Sequence, residues 1–133
     1  MPAMKKGYKA LVEEANAEIE AVTPAEAHRL AERDDVLLVD IRDVRELERE
    51  GKIPGALHAP RGMLEFWVDP DSPYHKPVFS SGKTFVFFCA GGLRSALATK
   101  TVQDMGLSPV KHIEGGFGAW REAGLPIEKL APK

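Results

Sequence analysis

The sequence predicts a single α/β domain in which helices cover a mainly parallel sheet. Two apolar runs, at residues 36–39 and 84–88, lack the polar alternation of half-buried strands, so we expect both of their faces to be buried. Segments with helical spacing alternate with such strands along the chain, a pattern typical of βα units. A length of 133 residues with 44% hydrophobic side chains suits one such core.

The N-terminal part of the chain predicts a helix that precedes the main domain. We divide the chain into a helical extension at residues 1–17 and a domain at residues 18–130. Apolar residues fall at helical spacing in the extension, at Tyr8, Leu11, Val12 and Ala15.

The domain begins with a strand and a capped helix. Residues 18–22 alternate between polar and apolar side chains, as a half-buried strand does. Thr23 can cap the next helix, Pro24 suits its first turn, and Glu26 completes a capping box. These signals predict a helix at residues 24–33.

The middle of the chain predicts a buried strand followed by less regular structure. The run at 36–39 predicts a central parallel strand, and the charged stretch at 43–50 predicts a surface helix. A glycine-rich turn at 51–56 leads into a short strand at 57–59. Residues 61–82 contain several prolines, so we expect a short helix and then a long loop there.

The last part of the chain places a cysteine where α/β proteins bind ligands. Cys89 follows the apolar strand at 84–88, and a helix ended by Gly106 comes next. A strand at 110–113 and a helix from 116 complete the alternation. Ligands of open α/β sheets bind beyond the carboxyl ends of the strands, where Cys89 is expected.

Composition excludes several classes of partner. The net charge is −2, from 18 basic and 20 acidic residues mixed along the chain, so no basic stripe points to nucleic acid. No signal peptide and no apolar run of membrane length is visible, so we expect no membrane partner and a cytoplasmic protein. The only cysteine cannot form an internal disulfide, which fits a reducing compartment.

The segment after the strand at 84–88 has the composition of an anion-binding loop. Two adjacent glycines permit backbone angles at which successive N–H groups point inward, and the start of the next helix also favours an anion. Arg94 adds a permanent positive charge that favours the Cys89 thiolate. The alternatives are that Cys89 is buried filler and that Arg94 is solvated. Ser95 is expected to be a helix N-cap and not a catalytic residue. The loop reads Cys89, Ala90, Gly91, Gly92, Leu93, Arg94 and Ser95.

Four segments taken together carry a family resemblance. They are Val-Asp-Ile-Arg at 39–42, Gly-Lys-Ile-Pro-Gly-Ala at 51–56, Cys-Ala-Gly-Gly-Leu-Arg-Ser at 89–95 and Glu-Gly-Gly-Phe-Gly-Ala-Trp at 114–120. In this order they closely resemble the rhodanese homology domain. The resemblance implies a five-stranded parallel sheet with helices on both faces, and a sulfurtransferase activity.

The resemblance also implies roles for individual residues. Cys89 would be the catalytic residue and carry sulfane sulfur as a persulfide. Arg94 would hold an anionic donor such as thiosulfate, and the acceptor would be cyanide or a thiol, with a protein acceptor as a further candidate. Asp40 and Arg42 would brace the loops around the site. No metal and no organic cofactor enter this scheme. The substrate-binding residues would be Ala90, Gly91, Gly92, Leu93, Arg94 and Ser95.

Two other functions compete with sulfur transfer. Dual-specificity phosphatases and some arsenate reductases resemble this fold, but their loops have five residues between cysteine and arginine. This chain has four, and we expect that shorter ring to be too tight for a phosphoryl group. The second alternative is a non-catalytic module that docks a partner or senses redox state through Cys89.

Several other residues are interpreted as structural. His58 and His112 lie in predicted strands and read as core histidines, while Glu46 reads as part of a solvated helix face. Phe117 and Trp120 have the spacing of a buried helix face. The segment at 66–78 could overhang the site, but a surface loop is favoured. The neutral loop around Cys89 leaves the donor open.

Overall fold

A five-stranded sheet lies at the centre of the computed structural model, which describes residues 4–130. Its spatial order is β1-β5-β4-β2-β3, and every pairing is parallel, as predicted. The first three residues of the predicted N-terminal extension lie outside the described part. The strands are β1 (Glu20–Val22), β2 (Val36–Asp40), β3 (Leu57–His58), β4 (Thr84–Phe88) and β5 (Val110–Ile113).

Six α-helices connect and cover these strands within the described residues. Two short 3-10 helices, Arg61–Met63 and Pro77–Ser80, lie between β3 and β4. The helices are α1 (Tyr8–Glu18), α2 (Pro24–Leu30), α3 (Val44–Glu50), α4 (Leu64–Val68), α5 (Leu93–Asp104) and α6 (Gly116–Glu122).

Alternate residues of β4 supply two separate hydrophobic cores. Phe85 and Phe87 pack in the core covered by α4 and α5, whereas Val86 and Phe88 pack in the core covered by α2 and α6. All four side chains are at most 1% exposed. Each fully buried side chain of this size contributes roughly 1.5–3 kcal/mol to stability. The prediction that β4 is buried on both faces is confirmed.

Local signals set the start of α2 as predicted. Thr23 and Glu26 form the reciprocal capping box of α2, with Glu26 N–H donating to Thr23 Oγ1 at 3.2 Å. The helix ends at Leu30, three residues before the predicted end, and continues as tight turns in which Arg33 N–H donates to the Leu30 carbonyl. Helix α1 packs against α5.

The sheet order brings three strand ends together at one edge. β4 lies between β2 and β5, with Phe88 opposite Asp40 and Phe87 opposite His112. Beyond the last pair, Ile41 N–H still donates to the Phe88 carbonyl at 3.0 Å. Residues that follow β2, β4 and β5 therefore meet at the carboxyl edge of the sheet.

Candidate active site

Cys89 is the first residue after β4 and lies at the carboxyl edge of the sheet, as predicted. Its side chain is only 1% exposed. Residues 89–94, here called the cysteine loop, turn from β4 into α5. The cysteine is therefore buried, but it lies within a loop that closes around it.

Two backbone amides of the cysteine loop and α5 point at the sulfur. Gly92 N–H donates to Cys89 Sγ at 3.1 Å, and Ser95 N–H donates to it at 3.4 Å. Gly92 adopts a positive φ of 98°, and a Cβ there would lie 3.3 Å from Gly115 N. Converging amides favour an anion, so this geometry supports a thiolate or a persulfide anion at Cys89.

The first turn of α6 holds the cysteine loop from the other side. Phe117 N–H donates to the Cys89 carbonyl at 2.8 Å, and Gly118 N–H donates to the Ala90 carbonyl at 3.0 Å. A Cβ at Gly116, whose φ is 60°, would lie 2.4 Å from the Cys89 carbonyl oxygen. No other residue fits this close approach without displacing the loop.

Ser95 is not the helix cap that we expected. Helix α5 begins at Leu93 with Gly92 as its N-cap, because the left-handed glycine starts the helix earlier. Ser95 is therefore the third residue of the helix, and its N–H is one of the first-turn amides that have no partner within the helix. Its buried hydroxyl lies 3.6 Å from Cys89 Sγ and 3.0 Å from His112 Nδ1.

Arg94 is paired with a carboxylate that the sequence interpretation discounted. Its two terminal nitrogens donate to the two oxygens of Glu46 at 2.8 and 2.9 Å. Glu46 also accepts from Asp43 N–H in the capping box of α3, and its side chain is only 17% exposed. The interpretation of Glu46 as a solvated residue is wrong, because tertiary packing places α3 beside the cysteine loop.

The ion pair shifts the titration of both partners. The hydrogen bond to Arg94 lowers the pKa of Glu46 to about 2. The hydrogen bond to Glu46 is also the main cause that raises the pKa of Arg94, and attraction to Cys89 acts in the same direction. The pair therefore stabilises the fold above the ordinary pKa of glutamate, and this contribution is lost as the pH falls toward 2.

Asp40 and Arg42 form a buried pair beside the site. Arg42 donates from Nη2 to Asp40 at 2.9 Å and from the same nitrogen to the Gly51 carbonyl at 2.9 Å. Its guanidinium also lies 4.0 Å from the centre of the Phe117 ring. These contacts connect the end of β2, the turn after α3 and the start of α6, which is the geometry that a bracing role requires.

The other residues interpreted as structural are accounted for by their contacts. His112 is 4% exposed and bonded to Ser95, while His58 Nε2 lies 2.7 Å from the Arg42 carbonyl. Phe117 and Trp120 are at most 2% exposed, so the prediction that they belong to the core is confirmed.

Part of the segment at 66–78 lines a cleft that does not include Cys89. Its residues Asp69 and Pro70 line a cleft with Phe79 and Ser80, which precede β4. That cleft lies at the amino edge of the sheet, opposite Cys89. Residues 69–76 form the surface loop that we favoured, whereas the ends of the stretch belong to α4 and to the 3-10 helix at Pro77–Ser80.

Within residues 4–130 there is neither a candidate membrane-spanning helix nor a candidate metal site. No helix in residues 4–130 is both long enough and apolar enough to cross a membrane. Across the same residues, no three His, Cys, Asp or Glu side chains gather as metal ligands would.

Comparison with known proteins places the chain among rhodanese-like proteins. The model of the rhodanese-like domain matches residues 23–123. A sulfurtransferase from Allochromatium vinosum is 35% identical over 107 residues, which cover 80% of this chain and 90% of that protein.

Two solved structures are similar over most of their length. One, from Rhodopseudomonas palustris CGA009, is described as a protein of unknown function and a possible tyrosine phosphatase. It is 63% identical, with a TM-score of 0.92, and the match covers 96% of this chain and 99% of that one. The polysulfide-sulfur transferase homodimer from Wolinella succinogenes is 32% identical with a TM-score of 0.70, covering 93% and 88%.

Proposed function

Because the chain belongs to the rhodanese-like domain family, we propose that it is a sulfurtransferase in which Cys89 carries sulfane sulfur as a persulfide. The observation that carries this proposal is the pair of amides, from Gly92 and Ser95, that converge on Cys89 Sγ. Such donors stabilise an anionic sulfur, whether it is the attacking thiolate or the terminal sulfur of the persulfide. A reducing compartment such as the cytoplasm would keep this thiol available.

The proposed reaction has two steps and needs no external oxidant. The Cys89 thiolate attacks the outer sulfur of thiosulfate, a new S–S bond forms, and sulfite leaves with the electron pair of the broken bond. Cyanide or an acceptor thiol then attacks the outer sulfur of the persulfide, and the Cys89 thiolate leaves. The similarity to a polysulfide-sulfur transferase supports polysulfide as a second donor to test.

Intact-mass measurement tests this proposal directly. After incubation with thiosulfate or polysulfide, the wild-type chain should gain the mass of one sulfur atom, and cyanide should remove it and form thiocyanate. Cys89 is the only cysteine, so the added sulfur has one candidate position. A protein that gains no sulfur from either donor would contradict persulfide chemistry and favour the docking or redox-sensing alternative.

Phosphatase activity is a second candidate because the 63% identical structure carries that description. The loop argues against it, since four residues separate Cys89 from Arg94. A tetrahedral phosphoryl group attacked by sulfur needs a wider ring of donors, so we place sulfur transfer first.

The ion pair between Arg94 and Glu46 leads to a prediction about the donor. Replacing Glu46 with glutamine removes a negative charge beside the arginine and leaves the shape of the side chain unchanged. We expect the KM for thiosulfate, a dianion, to fall by about threefold or more, because Arg94 no longer shares its charge with a carboxylate. Steady-state thiocyanate formation measures this change.

Matched variants make the result specific. Glu48 is exposed on the same helix, so Glu48→Gln removes one charge without touching Arg94 and should leave the KM unchanged. Arg94→Lys should raise the KM, since an ammonium cannot make a forked contact with an oxyanion. If Glu46→Gln raised the KM instead, Glu46 would serve to hold Arg94 in position.

A further inference from the structure

Two buried side chains, those of Ser95 and His112, form a line of hydrogen-bonding groups that begins at Cys89 Sγ. Ser95 Oγ lies 3.6 Å from Cys89 Sγ, and His112 Nδ1 lies 3.0 Å from Ser95 Oγ. Ser95 is fully buried and His112 is 4% exposed. Cys89 follows β4, Ser95 lies in α5 and His112 lies in β5, so the strand order and the packing of α5 on the sheet bring the three groups into line.

His112 connects this line to solvent. It lines a cleft of about 370 Å³ between α1 and the cysteine loop, together with Val12, Asn16 and Gly91. Among the described residues, Nε2 of His112 has no hydrogen-bond partner. The buried polar atoms without a partner do not include this nitrogen, so it is accessible to solvent. Water in the cleft can therefore exchange a proton with this nitrogen.

The relay can supply the sulfur with a further donor. Gly92 and Ser95 donate their backbone N–H groups to Sγ, and the Ser95 hydroxyl is a buried side-chain donor within reach. In the thiol form, S–H donates to Ser95 Oγ and the hydroxyl donates to His112 Nδ1. A thiolate needs the opposite direction, in which Nδ1–H donates to the hydroxyl and the hydroxyl donates to sulfur.

We propose that Ser95 and His112 form a hydrogen-bond relay that stabilises the Cys89 thiolate and persulfide, with His112 setting the direction of the Ser95 hydroxyl. The inference rests on the proposed role of Cys89. On ionisation the thiol proton passes to Ser95 as the hydroxyl proton passes to Nδ1, and Nε2 releases one proton to water in the cleft. The imidazole is neutral before and after, so Ser95 is a catalytic residue and His112 a positioning residue.

The surroundings of His112 favour a neutral ring. Burial lowers its pKa, while attraction to Glu114 acts in the opposite direction. The residues paired with it in the sheet, Ala21 and Phe87, carry no charge, and neither do Val12 and Asn16 on the facing side of α1. Arg94 is a charged group beside Cys89, and attraction between the two groups is one of the causes that raise the pKa of Arg94.

The test is the rate at which iodoacetamide alkylates Cys89, at pH 7 and at pH 10, in the full chain. At pH 7 the rate follows the thiolate fraction, so Ser95→Ala should react about tenfold more slowly and His112→Leu about threefold more slowly. In His112→Asn, the amide can bond Ser95 from the position of Nδ1, so the rate should return close to wild type. At pH 10, where hydroxide ionises the thiol, all four proteins should react alike.

Each result decides between the relay and a structural role. Equal rates at pH 7 for wild type and Ser95→Ala would overturn the relay, and so would losses that persist at pH 10, because damage to the loop does not depend on pH. If His112→Leu does not fold, Ser95→Ala and His112→Asn still decide the question. Alkylation needs no sulfur donor, so a failure of the relay is distinguishable from a failure of persulfide formation.

Discussion

A Cys89→Ser variant is expected to transfer sulfur at least about a thousandfold more slowly than wild type, because a serine hydroxyl is not ionised near neutral pH and cannot carry sulfane sulfur. The fold should be unchanged, since oxygen replaces a buried sulfur and still accepts from the Gly92 and Ser95 amides. Thiocyanate formation from thiosulfate and cyanide measures the activity, and thermal unfolding checks the fold. Retained turnover would mean that another group carries the sulfur.

The same pair of proteins decides between sulfur transfer and phosphate hydrolysis. Wild type should hydrolyse p-nitrophenyl phosphate no faster than Cys89→Ser does. The reason is that the cysteine loop is one residue shorter than the phosphatase loop. Release of phosphate by wild type and not by Cys89→Ser would move the function to the phosphatase class.

An Arg42→Met variant is expected to lose about 3–5 kcal/mol of stability, because it leaves the Asp40 carboxylate buried without its partner. The Arg42 side chain is fully buried and Asp40 is 1% exposed, so water does not replace the lost contacts. Methionine keeps an unbranched chain against Phe117, so little packing is lost. Urea unfolding measures the free energy.

A double variant separates the lost charge from the lost volume. Asp40→Asn combined with Arg42→Met removes both charges, and the asparagine can still accept from the backbone N–H of residue 42 as Asp40 does. We expect this variant to recover at least about 2 kcal/mol relative to Arg42→Met alone. Equal stability of the two variants would show that the unpaired carboxylate is not the cause of the loss.

Local sequence determined the elements and the position of the cysteine. The apolar run of β4 has one stable environment, which is burial on both faces, and the capping box of Thr23 and Glu26 needs only residues three apart. Cys89 follows β4 directly, so its place at the carboxyl edge comes from the strand itself. Two glycines after it indicated unusual backbone angles, and Gly92 adopts one.

Long-range contacts between elements decided the chemistry around the sulfur. Glu46 is 48 residues from Arg94, and His112 is 17 residues from Ser95. Neither pair has a periodicity or a spacing that the sequence could reveal, because each depends on which strands and helices lie side by side. Glu46 looks like any solvated glutamate until α3 packs beside the cysteine loop.

The start of α5 also depends partly on local sequence and partly on tertiary packing. The sequence offered Ser95 as a helix cap, since serine is a common cap, and the double glycine left the backbone free to start the helix elsewhere. Close packing of Gly92 against Gly115 selects the left-handed conformation, and the helix then begins at Leu93. The sequence by itself determined the strands, the position of Cys89 after β4 and the range of backbone angles open to the loop that follows. Only the tertiary structure decided which amides, carboxylate and imidazole meet there, because those groups are brought together by packing across the sheet.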